Sequence, residues 1–196
     1  HRIKNNLQGV AGLLQQIAQR KPEVSTVMAE VIGQVQAIAQ VYGLQVGVTG
    51  PLRVRNVVEA IAASVQRTFG RTIRFEVRGP APHRWALPES ESIPIALSVN
   101  ELLTNAVKHS LPGEPPRDVE CTLVCGEDEV VLTIANAGRL PPGFSLARYP
   151  GGVSGLGLVR SLLPRRSATL TLEPSGDAVV AGVVLKPPGV TRLEPI

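Results

Sequence analysis

Glu101, Asn105 and Lys108 stand at i, i+4 and i+7 in the run Asn100-Glu101-Leu102-Leu103-Thr104-Asn105-Ala106-Val107-Lys108-His109. At helical spacing the three share one face. A carboxylate, an amide and an ammonium aligned in this way can meet a magnesium-bound polyphosphate. The helix beneath them is apolar: Ile95, Leu97, Val99, Leu102, Leu103, Ala106 and Val107 recur close to the helical period. The competing reading is the solvated face of an amphipathic helix.

Three further segments carry residue types suited to chemistry. Gly151-Gly152-Val153-Ser154-Gly155-Leu156-Gly157-Leu158 leads into a short helical pattern that stops at Pro164. Glycines let a backbone approach phosphate oxygens, and the N–H groups at a helix start favour an anion. No Gly-Lys-Ser/Thr follows, so this is not a P-loop, and no strand leads directly into it, so it is not a dinucleotide fingerprint. An ordinary flexible loop is the alternative. In the second segment, Ile134 to Phe144, Asn136 sits at a strand end with Gly138 after it. A polar side chain there can read the edge of a base while the backbone turns past, although alone it is simply a strand end. The third segment is His1-Arg2-Ile3-Lys4-Asn5-Asn6-Leu7-Gln8. With Ile3 and Leu7 as seam positions, His1 points outward, and an exposed imidazole can act as a nucleophile toward phosphorus. Surface histidines are otherwise mostly inert.

These segments need elements to hold them. Residues 1–44 read as two helices. Ile3, Leu7, Val10, Leu14 and Ile17 form one heptad seam, and Val24, Met28, Val31, Val35, Ile38 and Tyr42 form another. Arg20-Lys21-Pro22-Glu23 breaks them, with Pro22 suited to a helix start. Val27, Ile32 and Ala39 widen the apolar surface of the second helix. Two helices with such seams cannot bury both faces alone, which predicts a four-helix bundle made by two chains. The alternative is a hairpin packed on the rest of its own chain. Gly43 to Pro51 reads as a linker.

Beyond it the pattern becomes mixed. Helices are expected at Val54–Phe69 and Ser92–His109. Strands are expected at Ile73–Val77, Val119–Val124, Val130–Ala135, Thr169–Leu172 and Ala178–Leu185. Gly126 to Glu129 is a hairpin turn, and Gly138 to Gly155 is a loop. The fold class is α+β: a helical hairpin over 1–50, then an α/β sandwich over 51–196.

The chain has 196 residues, of which 43% are hydrophobic and only 3% aromatic, so the core is aliphatic. The net charge of +4 comes from scattered basic residues with little aromatic interleaving, which argues against nucleic-acid binding. Cys121 and Cys125 fall on one face of a strand, too far apart to bridge and too few for a zinc site. They read as core thiols. No signal peptide or apolar run of about 18 residues is visible, which predicts a cytoplasmic chain without membrane contact. The chain opens inside a helical pattern, so further sequence is expected ahead of it.

Taken in order, the motifs resemble those of the sensor histidine kinases of two-component systems, over nearly the whole chain. His1 to Gln8 is similar to the His box of the subfamily that writes His-Arg-Val-Lys-Asn-Asn-Leu-Gln. Asn100 to His109 resembles the N box, Asn136 to Gly143 the first glycine box, and Gly155-Leu156-Gly157-Leu158 the second. The resemblance implies an ATP-binding α/β sandwich shared with gyrase, Hsp90 and MutL. By position it implies that His1 accepts the γ-phosphoryl group of ATP, that Asn105 holds Mg2+, and that Lys108 and His109 reach the phosphates. Glu101 takes the place of the base or water-orienting acid. Gly138, Gly155, Leu156 and Gly157 belong to the glycine boxes, and residues 139–154 to the ATP lid. Asn5, one turn after His1, takes the place of a group that orients water to dephosphorylate the regulator. The implied partners are a second copy of the chain and the receiver domain of a response regulator.

Three departures accompany the resemblance. Asn136 replaces the usual aspartate that accepts a hydrogen bond from the adenine amino group. Arg2 follows His1 where many relatives carry an acid. The helix after the second glycine box is short. Asn136 is the feature behind the alternative, a non-enzymatic phosphotransfer or scaffold dimer with a degenerate ATP domain. A serine kinase of the anti-sigma-factor type shares the ATP fold but has no reason to carry the His1 segment.

Overall fold

The computed structural model describes residues 2–45 and 50–195. Helix α1 (Arg2–Arg20) and helix α2 (Ser25–Gln45) are joined by a 3-10 turn at Pro22–Val24. The expected break at Arg20–Glu23 is therefore present. The expected linker begins too early, because α2 runs through Gly43 to Gln45. Gly43 is a contact position rather than a stop: a Cβ there would lie 3.0 Å from Lys4 Cδ, so its bareness makes room for a side chain crossing from α1.

Helix α2 also lies against the rest of the chain. Ala37 and Val41 join the central core, and α2 packs on α3 (Val54–Phe69) and α4 (Glu89–Lys108). The hairpin thus rests on its own chain, while Ile3, Val10 and Leu13 of α1 and Val27 of α2 stay exposed.

The second part is a helix layer on a sheet. Five strands run in the order β2-β4-β5-β7-β6, with β2 (Ile73–Arg78) parallel to β4 (Val119–Cys125). The other pairings, among β4, β5 (Val130–Ala137), β7 (Ala178–Leu185) and β6 (Ala168–Ser175), are antiparallel. Alternation decides which side is covered. Val119, Cys121, Leu123 and Cys125 of β4 are buried, as are Val130, Leu132 and Ile134 of β5. Against them pack Val57, Val58 and Ile61 of α3 with Ile95, Val99 and Leu103 of α4. Both cysteines are free and buried, and burial pushes the Cys121 thiol up to about 12.

Helix α3 has the expected bounds and ends at Gly70, whose positive φ closes the last turn through an N–H bond to the Gln66 carbonyl. Helix α4 starts at Glu89, earlier than Ser92, and carries Pro94 inside its second turn. Glu89 and Glu91 complement the positive end of its dipole. A small sheet in the order β1-β3-β8, made from Leu52–Arg53, Trp85–Leu87 and Thr191–Arg192, was not expected. Trp85 anchors it by donating Nε1–H to the Gly126 carbonyl at 2.9 Å. Among the described residues no helix is long and apolar enough to cross a membrane.

Candidate active site

Helix α4 presents Leu102, Asn105, Ala106 and His109 along one wall of a cavity of about 510 Å³. The end of β5 supplies Ile134 and Asn136 as floor. The segment after it, 139–154, covers the opening with Leu140, Pro141, Phe144 and Tyr149. The start of α5 (Gly155–Leu162) closes the remaining side with Gly155 and Leu156. Mostly apolar walls with a few polar groups suit a planar base with a polar tail. The cover is tied to α5 at its middle and braced within itself. Arg160 of α5 donates to the Leu146 carbonyl, and the Phe144 and Tyr149 rings lie 6.1 Å apart, tilted.

Five expected site residues line this one cavity: Asn105, His109, Asn136, Gly155 and Leu156. Asn136 is buried and donates Nδ2–H to the Ala137 carbonyl at 3.1 Å. That use of the amide nitrogen leaves Oδ1 as the acceptor. The Ala137 carbonyl also accepts the Leu111 N–H at 2.8 Å, so two donors hold the strand end in place.

Other expected residues do different work. Gly138 is a packing position: a Cβ would fall 3.1 Å from Asn136 Nδ2 and 3.2 Å from the His109 carbonyl oxygen. Gly157 allows α5 to touch the glycine-rich segment, since a Cβ would sit 2.9 Å from the Gly152 nitrogen. Lys108 is exposed and does not line the cavity. Asn5 is exposed on α1, and His1 lies outside the described residues.

Glu101 does not share an open face with Asn105 and Lys108. It is only 5% exposed and turns toward the hairpin. Its Oε1 accepts from Gln34 Nε2 at 3.2 Å and its Oε2 accepts the Gly155 N–H at 3.1 Å. Burial raises its pKa above the ordinary carboxylate value, partly offset by those two donors.

Sequence reasoning missed Gln34, and it covered Arg139, Phe144 and Tyr149 only as part of the 139–154 lid without singling them out. The two aromatic residues had a signal, because they fall together in the expected loop of a chain that is only 3% aromatic. Gln34 had none, since it is one of several glutamines on α2.

A helix wall and a strand end under a Gly/Pro-rich cover, with a helical hairpin docked behind, define a histidine-kinase-like ATP-binding unit. The family described as histidine kinase matches residues 1–69, and that described as histidine kinase-like ATPase domain matches residues 70–168. The chain belongs to the sensor histidine kinases: it is a protein-histidine kinase with an ATP-binding domain of the gyrase, Hsp90 and MutL type. The two matches meet at the end of α3.

Solved structures agree at the level of fold. The histidine kinase domain of the Erythrobacter litoralis EL346 blue-light activated histidine kinase is 20% identical, with a TM-score of 0.64 over 94% of both chains. Acinetobacter baumannii histidine kinase AdeS is 14% identical, with a TM-score of 0.52 over 93% of both chains. Full-length ShkA in complex with AMPPNP is 18% identical at a TM-score of 0.54, and the match spans all of this chain but 46% of that one. No curated protein sequence matches the chain.

Proposed function

We propose that ATP binds in the α4 cavity with Mg2+, that its γ-phosphoryl group passes to His1, and that an aspartate of a response-regulator receiver domain then takes it. The observation that carries this reading is the convergence of Asn105, His109, Asn136, Gly155 and Leu156 on one cavity of nucleotide size. Asn136 Oδ1 accepts from the adenine amino group, and Phe144 and Tyr149 cover the base. His109 and the Gly155 N–H face the phosphates, and Lys108 reaches them from the rim. Gly138 and Gly157 set the backbone on which these groups stand.

Asn105 is the residue that would hold the metal ion. Among the described residues no group of three His, Cys, Asp or Glu side chains can bind a metal. That fits magnesium, which keeps waters and phosphate oxygens and needs few protein ligands. The ion, when bound, offsets phosphate charge. The protein's own share is positioning. An imidazole nitrogen of His1 bonds to the γ-phosphorus as the bond to the ADP oxygen breaks. The ring proton goes to Glu101, whose Oε2 lies 3.1 Å from the nitrogen of Gly155 at the cavity wall.

Two chains form the working unit in this reading, with Ile3, Val10, Leu13 and Val27 buried against a second copy. The domain boundary is placed at 50/51, the location is cytoplasmic, and Asn5 orients water for regulator dephosphorylation. Unchanged dephosphorylation with Asn5→Ala would remove that last role.

Incubation with γ-labelled ATP tests the main proposal. The expected result is acid-labile, base-stable label that disappears in His1→Gln. The second reading, a scaffold dimer with a degenerate ATP domain, is favoured by the uncharged Asn136. It predicts no nucleotide binding at millimolar ATP.

A further inference from the structure

Gln34 makes a contact that the phosphoryl-transfer reading does not use. Its Nε2 donates to Glu101 Oε1 and to the Val153 carbonyl, both at 3.2 Å. Glu101 in turn spends Oε2 on the Gly155 N–H at 3.1 Å. One amide on the hairpin therefore ties together the buried acid of α4 and the end of the glycine-rich segment. Gly33, next to Gln34, faces Asn100 of α4: a Cβ there would lie 3.7 Å from Asn100 Nδ2, an ordinary contact distance. The Gly155 N–H is a donor that a phosphate oxygen needs, and here a carboxylate holds it.

We propose that Gln34 is a positioning residue that latches the glycine-rich segment and Glu101 to the hairpin, so that the latch and the ATP phosphates compete for the Gly155 N–H. When phosphate takes that donor, Glu101 loses one of its two partners, and an ionised carboxylate cannot stay buried on one neutral amide. It swings off Gln34, and the segment is then held to the hairpin by the exposed Gln34–Val153 hydrogen bond alone. Nucleotide binding and release of the catalytic acid are then one event. The apparent affinity for ATP is lowered by the fraction of molecules that are latched. Contact between Gln34 and the sugar or base is not part of the device, because Gln34 does not line the base-side cavity.

The inference rests on the ATP reading of the cavity, and calorimetry separates the two. Magnesium AMPPNP, ADP and adenosine are titrated into the wild-type chain and into Gln34→Leu, which keeps the volume, with Gln34→Ala as a second variant. Weakening two hydrogen bonds to the latch tightens AMPPNP on the order of three- to tenfold. The gain is smaller for ADP and absent for adenosine, which has no phosphate to compete. A general loosening of the hairpin would shift all three alike and would overturn the proposal. Unchanged or weaker AMPPNP binding in both variants, with the wild type binding, overturns the latch and leaves the ATP site standing. Binding by the variants but not by the wild type supports a tight latch. No binding by any of the three overturns the ATP reading, and the latch with it.

Discussion

Replacing Asn136 with aspartate restores the charged acceptor usual in this family, and the structure predicts two opposed effects. In the free protein Asn136 is 8% exposed and donates Nδ2–H to the Ala137 carbonyl at 3.1 Å. Aspartate loses that donor and sets a carboxylate oxygen beside a carbonyl oxygen. The Ala137 carbonyl keeps its bond from Leu111, so its own satisfaction is not lost. One missing hydrogen bond costs about 1 kcal/mol, and a poorly solvated carboxylate adds on the order of 1–2 kcal/mol. For a chain of this length that lowers Tm by roughly 4–12 °C. In the complex the balance reverses, because a carboxylate accepts more strongly from the adenine amino group. A gain of about 1 kcal/mol corresponds to roughly fivefold tighter ATP. Calorimetric melting of the free variant and titration with ATP and ITP measure both effects. ITP lacks the amino group and should show no gain. A free variant as stable as the wild type would refute the Ala137 contact. A folded variant that binds ATP more weakly, or gains equally for ITP, would refute the placing of the base at Asn136.

Asn105→Ala should weaken magnesium ATP on the order of ten- to a hundredfold and leave metal-free ATP little changed, as read by titration with and without magnesium. Glu101→Gln should bind ATP at least as tightly as the wild type, because the latch is weakened, and slow autophosphorylation roughly a hundredfold or more. The same variant has a signed pH dependence. Burial raises the folded pKa of Glu101 above its ordinary 4.5, so the wild type carries a penalty that is absent below that value, grows while the unfolded chain ionises and the folded carboxyl stays protonated, and levels off above the raised folded pKa. The stability of Glu101→Gln relative to wild type should therefore rise as the pH climbs above 4.5 and then reach a plateau in denaturant titrations. A flat difference would mean that Glu101 is not buried as described. Leu13→Lys should leave the single chain folded, since Leu13 is 58% exposed, and convert a dimer to monomers by light scattering. A dimer that survives this change and Val10→Lys would place the interface elsewhere.

Much of this fold was legible because its signals are local. The bounds of α3 follow from an apolar face over Val54–Phe69 and a glycine at its end. The strands β4 and β5 follow from strict alternation around the turn at Gly126. Where the signal fell below one period, it failed. The strands of the small sheet are two or three residues long, too short for alternation to register. Gly43 looked like a stop because glycine usually is one, and only the crossing Lys4 side chain explains why α2 continues through it.

The site divides along the same line. The order of the motifs and the family resemblance picked out Asn105, His109, Asn136 and the Gly155-Leu156 turn, and the fold brings all of them to one cavity. The sequence also determined that Glu101 sits on the same helix as Asn105. It could not determine which way the Glu101 carboxylate faces. Two donors settle that, and they come from residues 67 and 54 positions away, Gln34 and Gly155. Contacts at that separation leave no period or motif in the chain. They exist only once α2 is laid across α4, and a buried carboxylate goes wherever the packed structure supplies its donors.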